Sequence, residues 1–186
     1  AASDVYKRQS VWLVPLRRGR TRAEGEVAVS ESNIYVGVAG YVGRPDDVGA
    51  IGVFRRAVDG GDWEHTFATH ETYCVFVHPG DANLVLAGTA DGVWCSRDRG
   101  ATFQRAEFPD QDVQVWSFLA VENHPDRLYA GASPINVYRS DDRGQSWRRL
   151  PTPDIEERCR GPFQSRVMRM VQTPGKPDEI YAALEI

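Results

Sequence analysis

Short runs of apolar residues alternate along the chain with clusters of glycine, proline and polar residues. Runs of this length, bounded by turn-forming residues, predict β-strands. No stretch shows the 3.6-residue hydrophobic period of an amphipathic helix competing with these strands. The pattern therefore predicts an all-β protein.

A repeat of about 40 to 45 residues organises the predicted strands. Residues 92–103 (GVWCSRDRGATF) align with 136–147 (NVYRSDDRGQSW) at an offset of 44, and a weaker copy occupies 52–63. A strand ending in small residues accompanies each unit, at 34–37, 84–88, 128–131 and 180–183. Four short strands per period of this length are typical of a β-propeller blade. The predicted fold is an all-β propeller fragment of about three and a half four-stranded blades, from a ring of six to eight.

The blade boundaries follow from this spacing. The predicted blades occupy about 24–66, 70–108, 112–152 and, incompletely, 164–186. Residues 1–9 resemble a translated adapter sequence and are predicted to be a non-native leader, and 10–23 are predicted to be a leader or linker. The chain stops inside an apolar alternation, so we expect the fourth blade to be cut off and the uncapped blade edges to allow self-association.

Two of the turns carry a recognisable pattern. Ser96-x-Asp98-x-Gly100-x-Thr102-Phe103 and its copy Ser140-x-Asp142-x-Gly144-x-Ser146-Trp147 resemble the Asp-box, or BNR repeat, Ser-x-Asp-x-Gly-x-Thr-Trp. In such a turn glycine tolerates positive φ, serine and aspartate accept hydrogen bonds from turn amides, and the ring packs beneath. These residues are therefore predicted to be structural: Ser96, Asp98, Gly100, Phe103, Ser140, Asp142, Gly144 and Trp147.

The resemblance implies membership of a superfamily that includes sialidases, endoglucanase-type glycoside hydrolases, sortilin-type receptors and photosystem II assembly factors. It indicates fold more strongly than activity, because one fold hosts many functions. A WD-type propeller is disfavoured because no Gly-His to Trp-Asp pairing recurs. The unit at 52–63 has Arg56 and Val58 where serine and aspartate are expected, and matches the pattern only at Gly60 and Trp63.

Composition narrows the range of partners. The chain of 186 residues has 22 Lys+Arg against 26 Asp+Glu, and the charges are scattered, so a nucleic-acid partner is not expected. No stretch approaches the roughly 20 apolar residues of a membrane span. The basic residues are almost all arginine, which indicates a GC-rich, bacterial genome. Three cysteines (Cys74, Cys95 and Cys159) favour reduced thiols and a cytoplasmic location, and no spacing predicts a metal or cofactor site.

Binding chemistry is expected on the face opposite the box turns, in the loops between second and third strands and before first strands. Rings, guanidinium groups and carboxylates in these loops could hold a sugar or a carboxylate. The candidate ligand-binding residues are Tyr41, Arg44, Asp46, Asp47, Glu71, Asp91, Trp116, Asn136 and Arg166.

Two functions remain open at this point. One is a non-enzymatic propeller that binds a protein or a glycan, as a scaffold or in assembly. The alternative is a glycoside hydrolase of sialidase-like or endoglucanase-like type, for which the candidate catalytic residues are Asp46, Asp91 and His70. The Arg-Ile-Pro segment of sialidases is absent, which favours binding. His78 and His124, each before a proline, are predicted to occupy equivalent structural positions in the repeat.

Overall fold

A computed structural model describes residues 32–40, 49–155 and 164–186. All regular elements within these segments are β-strands, arranged in four antiparallel sheets, so the all-β prediction is confirmed. Blade 1 comprises β1 (Asn33–Val38), β2 (Gly52–Ala57) and β3 (Glu64–Phe67). Blade 2 comprises β4 (Thr72–His78), β5 (Asp81–Thr89), β6 (Gly92–Ser96) and β7 (Gln104–Arg105). Blade 3 comprises β8 (Gln114–Val121), β9 (His124–Ser133), β10 (Asn136–Ser140) and β11 (Arg148–Arg149), and blade 4 comprises β12 (Arg166–Thr173) and β13 (Lys176–Glu185).

Each sheet is a meander in which neighbouring strands in the sequence are neighbours in space. Short turns permit this order because antiparallel strands need only a hairpin connection. When the strand pairings of the blades are compared, β1 corresponds to the second strand of a blade. The leader segments predicted at 1–9 and 10–23 lie outside the described residues.

The hydrophobic core lies between the blades. Val53 and Phe67 of blade 1 cluster with Ala87 of blade 2. Leu86 of blade 2 belongs to a larger cluster with blade 3, and a third cluster joins blade 3 to Val167 in blade 4. Full burial of an aliphatic or aromatic side chain stabilises a fold by about 1.5–3 kcal/mol. Because these side chains are shared by two sheets, each blade stabilises its neighbour.

Glycine at one repeated position allows adjacent blades to approach closely. Gly37, Gly88 and Gly131 occupy the same register, each paired with a valine of the third strand. A Cβ atom on Gly88 would lie 2.6 Å from the carbonyl oxygen of Val115, and one on Gly131 would lie 2.5 Å from Cγ1 of Val167. The small residues that mark the repeat in the sequence are therefore set by contact with the next blade.

The two histidines predicted to be equivalent are not. His78 ends β4 and pairs with Asp81, whereas β8 ends at Val121, which pairs with His124. The position matching His78 is therefore Val121, and the prediction is wrong. Blade 3 turns at Asn123, which has φ of 63°, because asparagine tolerates the left-handed conformation. In blade 2, Pro79 lies within the turn, whereas in blade 3 the turn ends before Pro125, which lies in β9. Aligning the two segments by their prolines therefore gave the wrong register.

His78 connects blades 2 and 3. Its ring is buried, Nε2 lies 2.9 Å from the carbonyl oxygen of Pro125, and Nδ1 accepts the Gly80 amide hydrogen at 3.1 Å. Since Nδ1 accepts, the hydrogen lies on Nε2, which donates to Pro125. Both nitrogens of the ring are thus used within the fold.

Candidate functional site

The two ends of the sheets have different surroundings. At one end, the box turns lie beside the turns that join first and second strands. Arg99 donates its amide hydrogen to the carbonyl oxygen of Asn83, and Arg143 donates its amide hydrogen to the carbonyl oxygen of Asp126. We call this end the box face. At the other end, which we call the loop face, Ala90 donates its amide hydrogen to the carbonyl oxygen of Glu71. The candidate ligand-binding residues within the described segments lie near the loop face.

The box turn of blade 2 is closed by its own side chains. Oγ of Ser96 accepts the Gly100 amide hydrogen at 2.7 Å and donates to Asp98 at 2.7 Å. Asp98 accepts the amide and hydroxyl hydrogens of Thr102 at 2.9 and 2.6 Å. Gly100 has φ of 73°, a conformation that favours glycine.

The box turn of blade 3 repeats this network. Oγ of Ser140 accepts the Gly144 amide hydrogen at 2.8 Å, and Asp142 accepts the amide hydrogens of Gln145 and Ser146, each at 3.0 Å. Trp147 is 6% exposed and donates Nε1–H to the carbonyl oxygen of Gly144 at 3.2 Å. Blade 1 lacks the serine and aspartate, and its Trp63 is 44% exposed.

The box turns also pack on the preceding blade, which the sequence did not indicate. A Cβ atom on Gly100 would lie 2.8 Å from Cε1 of Tyr35, and one on Gly144 would lie 3.1 Å from Cδ2 of Leu86. Tyr35 also donates its hydroxyl hydrogen to the carbonyl oxygen of Arg99 at 2.8 Å. The glycine of each described box thus belongs to an interface between blades.

Acid is expected to weaken the box turns. Burial alone raises the pKa of the Asp98 carboxyl, but hydrogen bonds from Thr102, Ser96 and Ala101 outweigh that effect and lower the pKa from 3.8 to about 2. A carboxyl whose pKa is lower in the folded chain stabilises the fold above its unfolded pKa and loses that contribution as the pH falls. The stabilisation should therefore be complete above about pH 4 and disappear towards pH 2.

Urea unfolding midpoints measured from pH 6 to pH 2 test this expectation. The difference in midpoint between the unmodified chain and Asp98→Asn should shrink as the pH falls below about 4. A difference that stays constant down to pH 2 would contradict it. Asp59→Asn, in the blade 1 turn that lacks the box, removes one carboxylate without altering a box turn and serves as the control.

A stacked layer of side chains crosses three blades at the loop face. The rings of Tyr73 and Trp116 stack with centroids 4.3 Å apart and an interplanar angle of 16°. The Arg166 guanidinium carbon lies 4.3 Å from the centroid of Trp116. Arg166 also pairs through Nε with Glu185 at 3.1 Å. Glu71 joins the layer by accepting the Tyr73 hydroxyl hydrogen at 2.9 Å.

Three predicted residues, Glu71, Trp116 and Arg166, are therefore brought together, and Tyr73 was missed by sequence reasoning. Tyr73 and Trp116 occupy the same place in their strands, because the register of β4 shifts between Thr72 and Cys74 and that of β8 between Val115 and Ser117. Such a bulge redirects the extra side chain out of the regular alternation. The repeat alignment offered a signal, since both positions hold a large aromatic residue.

Burial, followed by the hydrogen bond to Glu71, raises the pKa of the Tyr73 phenol. The phenol is therefore held in its neutral, donating form. Glu71 accepts a second hydrogen bond, from the Gly40 amide at 2.9 Å. Both groups are thus fixed by partners within the protein.

His70 and Asp91 lie in a second group on the loop face. His70 Nε2 is 3.8 Å from Oδ2 of Asp91, whose other oxygen pairs with Arg105 at 2.8 Å. The His70 ring packs against Phe67 and Trp94, with centroids 5.8 and 4.9 Å apart. Two of the three candidate catalytic residues are therefore neighbours.

The remaining candidates are not brought into either group. Asn136 lines a cavity of about 510 Å³ beside Pro134, Arg149, Thr152 and Asp154. The other predicted residues lie outside the described residues: Tyr41, Arg44, Asp46 and Asp47.

Some kinds of site are not found in the described parts of the chain. Residues 32–40, 49–155 and 164–186 contain no cluster of three or more histidine, cysteine or acidic side chains that could hold a metal ion. No helix in the same segments has the length and apolar character needed to cross a membrane.

Comparisons with known proteins identify the fold. No protein-family model matches the sequence, and no curated protein is significantly similar to it. The GH74 xyloglucanase of Xanthomonas campestris superposes with a TM-score of 0.54 and 22% identity over 82% of this chain and 27% of its own. The Niastella koreensis GH74 enzyme gives a TM-score of 0.54 and 17% identity over 82% of this chain and 24% of its own.

YCF48 from Cyanidioschyzon merolae gives a TM-score of 0.52 and 11% identity over 76% of this chain and 42% of its own. The chain thus spans less than half the length of each of these three structures. The GH74 enzymes and YCF48 are β-propeller proteins, so the predicted propeller fold is confirmed, and the likeness extends to fold alone.

Proposed function

We propose that this chain is part of an Asp-box β-propeller that binds a glycan or a protein at its loop face without catalysing a reaction. The two box turns support the family assignment, because their serine, aspartate and glycine make the hydrogen bonds that the motif requires. The fold is shared with the GH74 xyloglucanase and with YCF48, so the fold alone does not decide whether this chain is an enzyme. The side chains of the loop face therefore decide between the two functions.

The stacked layer of Tyr73, Trp116 and Arg166 is the observation that carries the proposal. A nucleophile or a general acid has to change its protonation state or bond to the substrate during turnover. Trp116 supplies neither a nucleophile nor an acid, and Arg166 is stacked on it and ion-paired with Glu185. These groups form a rigid surface, which suits recognition better than proton transfer.

A preformed cavity on the same face could receive the ligand. Its volume of about 510 Å³ is within the usual range for ligand-binding pockets, roughly 300–1,000 Å³. Asn136 and Arg149 supply hydrogen-bond donors at its wall, Asp154 supplies acceptors, and Pro134 stiffens the backbone. Hydroxyl groups of a sugar or main-chain groups of a peptide match such donors and acceptors.

Calorimetric titration with xyloglucan oligosaccharides and sialyllactose tests the proposal. We expect binding without release of reducing sugar, and about tenfold weaker binding for Arg149→Ala, which corresponds to about 1.4 kcal/mol. Arg148, the neighbour of Arg149 on β11, is also exposed and does not line the cavity, so Arg148→Ala is the matched control. If both substitutions weaken sugar binding equally, the cavity is not the binding site. If neither sugar binds, the protein-ligand form of the proposal remains.

Glycoside hydrolysis is the alternative function. It is favoured by the GH74 neighbours and by the hydrogen bond between Tyr73 and Glu71, since some glycosidases use a tyrosine nucleophile. Most others need two carboxylates about 5–10 Å apart. Of the two candidate aspartates, Asp46 and Asp91, Asp91 lies within the described residues. Hydrolysis of fluorogenic sialosides or β-glucosides that Asp91→Asn abolishes would establish the alternative and overturn the non-enzymatic proposal.

A further inference from the structure

The arginine at the wall of the loop-face cavity has a carboxylate beside it that does not line the cavity. Arg149 Nη1 lies 3.7 Å from Oδ2 of Asp110. Asp110 belongs to the segment that joins β7 to β8, between blades 2 and 3. The Arg149 side chain is 58% exposed. Its charge is therefore accessible to a ligand, but a negative charge lies next to it.

A buried tyrosine fixes the position of Asp110. Tyr138 is fully buried in the core cluster that joins blades 2 and 3, and it donates its hydroxyl hydrogen to Oδ2 of Asp110 at 2.7 Å. Burial, followed by this hydrogen bond, raises the pKa of the Tyr138 phenol, so the phenol remains a neutral donor. Side chains of a close-packed core have little freedom to move. The carboxylate oxygen that faces Arg149 is therefore held by the core.

The corresponding arginine of blade 2 is also neutralised, but by a different residue. Arg105 on β7 takes the register of Arg149 on β11. Arg105 pairs at 2.8 Å with Asp91, the residue just before β6. In blade 3 the residue just before β10 is Ile135, which has no charge. Asp110 thus supplies to Arg149 a carboxylate that its own blade lacks at this position.

We infer that Asp110 excludes anionic ligands from the cavity, so that the ligand group that meets Arg149 is uncharged, such as a hydroxyl or an amide. A ligand carboxylate on Arg149 would lie close to the Asp110 carboxylate and would share the cavity with Asp154. Like charges at short range repel each other. A hydroxyl or an amide oxygen accepts a hydrogen bond from Arg149 without this repulsion. The inference rests on the proposed binding at the cavity and adds the charge of the ligand.

Asp110→Asn is the test variant. Asparagine keeps an oxygen that can accept the Tyr138 hydrogen bond but removes the negative charge. Asp112→Asn is the matched control, because Asp112 lies in the same segment, is exposed and does not line the cavity. The backbone of Asp112 has φ of 56°, which asparagine tolerates. Asp110→Asn combined with Arg149→Ala shows whether an effect acts through the guanidinium group.

Two pairs of ligands that differ mainly in charge serve as probes. One pair is trigalacturonate and its methyl ester, and the other is acetylated tetraalanine with a C-terminal carboxylate or a C-terminal amide. Titrations followed by proton–nitrogen NMR give the dissociation constants. Shifts of the Asn136 and Leu150 amides show whether a probe occupies the cavity. The pair that binds shows whether the ligand group comes from a sugar or from a peptide.

In the unmodified chain, the uncharged member of a pair should bind more tightly than the anionic member. Asp110→Asn should tighten binding of the anionic member about three- to tenfold and change binding of the uncharged member by less than about twofold. Asp112→Asn should change neither. The gain should vanish when Arg149→Ala is added to Asp110→Asn.

An anionic probe that binds the unmodified chain at least as tightly as its uncharged counterpart would overturn the inference. The inference is also wrong if Asp110→Asn gives no gain, if Asp112→Asn gives an equal gain, or if the gain survives Arg149→Ala. Failure of the proposed cavity site looks different: no uncharged probe shifts the cavity amides of the unmodified chain, while Asp110→Asn still gains binding of the anionic probe. Binding of an uncharged probe without any gain in Asp110→Asn overturns the inference alone.

Discussion

Replacing Gly88 by alanine should lower the free energy of unfolding by about 2–3 kcal/mol, which is the upper part of the usual range for overpacked cores. The new Cβ atom would lie 2.5 Å from Sγ of Cys74 and 2.6 Å from the Val115 carbonyl oxygen. A backbone oxygen in a paired strand cannot move without disturbing β8. Blades 2 and 3 should therefore separate slightly, and the cluster that contains Leu86 should lose contacts.

Thermal and urea unfolding of Gly88→Ala measure this effect, which should appear as a fall in Tm of about 5–10 °C. Gly49→Ala is the control, because none of the described residues lies within 4 Å of a Cβ atom there. Its stability should change by less than about 0.5 kcal/mol. A loss at Gly88 no larger than that at Gly49 would contradict the close approach of the two blades.

Replacing Asp142 by alanine should cost about 2–3 kcal/mol, because several donors of one turn lose their acceptor together. Asp142 accepts hydrogen bonds from the amides of Gln145 and Ser146 and from the hydroxyls of Ser140 and Ser146. The indole of Trp147 is positioned by the same turn, through the carbonyl oxygen of Gly144. Loss of the turn should thus also loosen the contact between blades 2 and 3.

Urea unfolding followed by tryptophan fluorescence tests the Asp142→Ala prediction. Asp59→Ala is the matched control, because Asp59 is exposed in the blade 1 turn that lacks the motif. That control should be neutral within about 0.5 kcal/mol. Asp142→Asn keeps one side-chain acceptor and should lose less stability than Asp142→Ala. If Asp142→Ala is as stable as the control, the turn does not depend on its carboxylate.

The fold was accessible from the sequence because its signals are local and repeated. Turn glycines such as Gly100 and Gly144 have to adopt positive φ, and the serine and aspartate beside them bond to amides of the same turn. Such interactions span four residues or fewer, so they leave a pattern in the sequence. The predicted equivalence of His78 and His124 also depended on a local pattern, and it was wrong. The proline after His78 and the proline after His124 look alike locally, but the register of the strands depends on their partners.

The candidate site was only partly accessible. Glu71, Trp116 and Arg166 were recognised by residue type, but Tyr73 was missed because its orientation depends on a bulge in β4. Asp91 was selected as a carboxylate, and only the structure shows that Arg105 engages it. Contacts of this kind join residues of different strands or blades. The sequence specifies which side chains are present there but not which of them meet.

By itself, the sequence determined the strands, the repeat and the two hydrogen-bonded turns, since each depends on residues close together in the chain. The tertiary structure decided which small residues let neighbouring blades approach and which aromatic rings stack at the loop face. These properties follow from packing between sheets, where atoms many residues apart in sequence come within a few ångströms. The residue at position 88 shows the difference: a small residue is visible in the repeat, but its consequence appears only when the approach of the next blade is known.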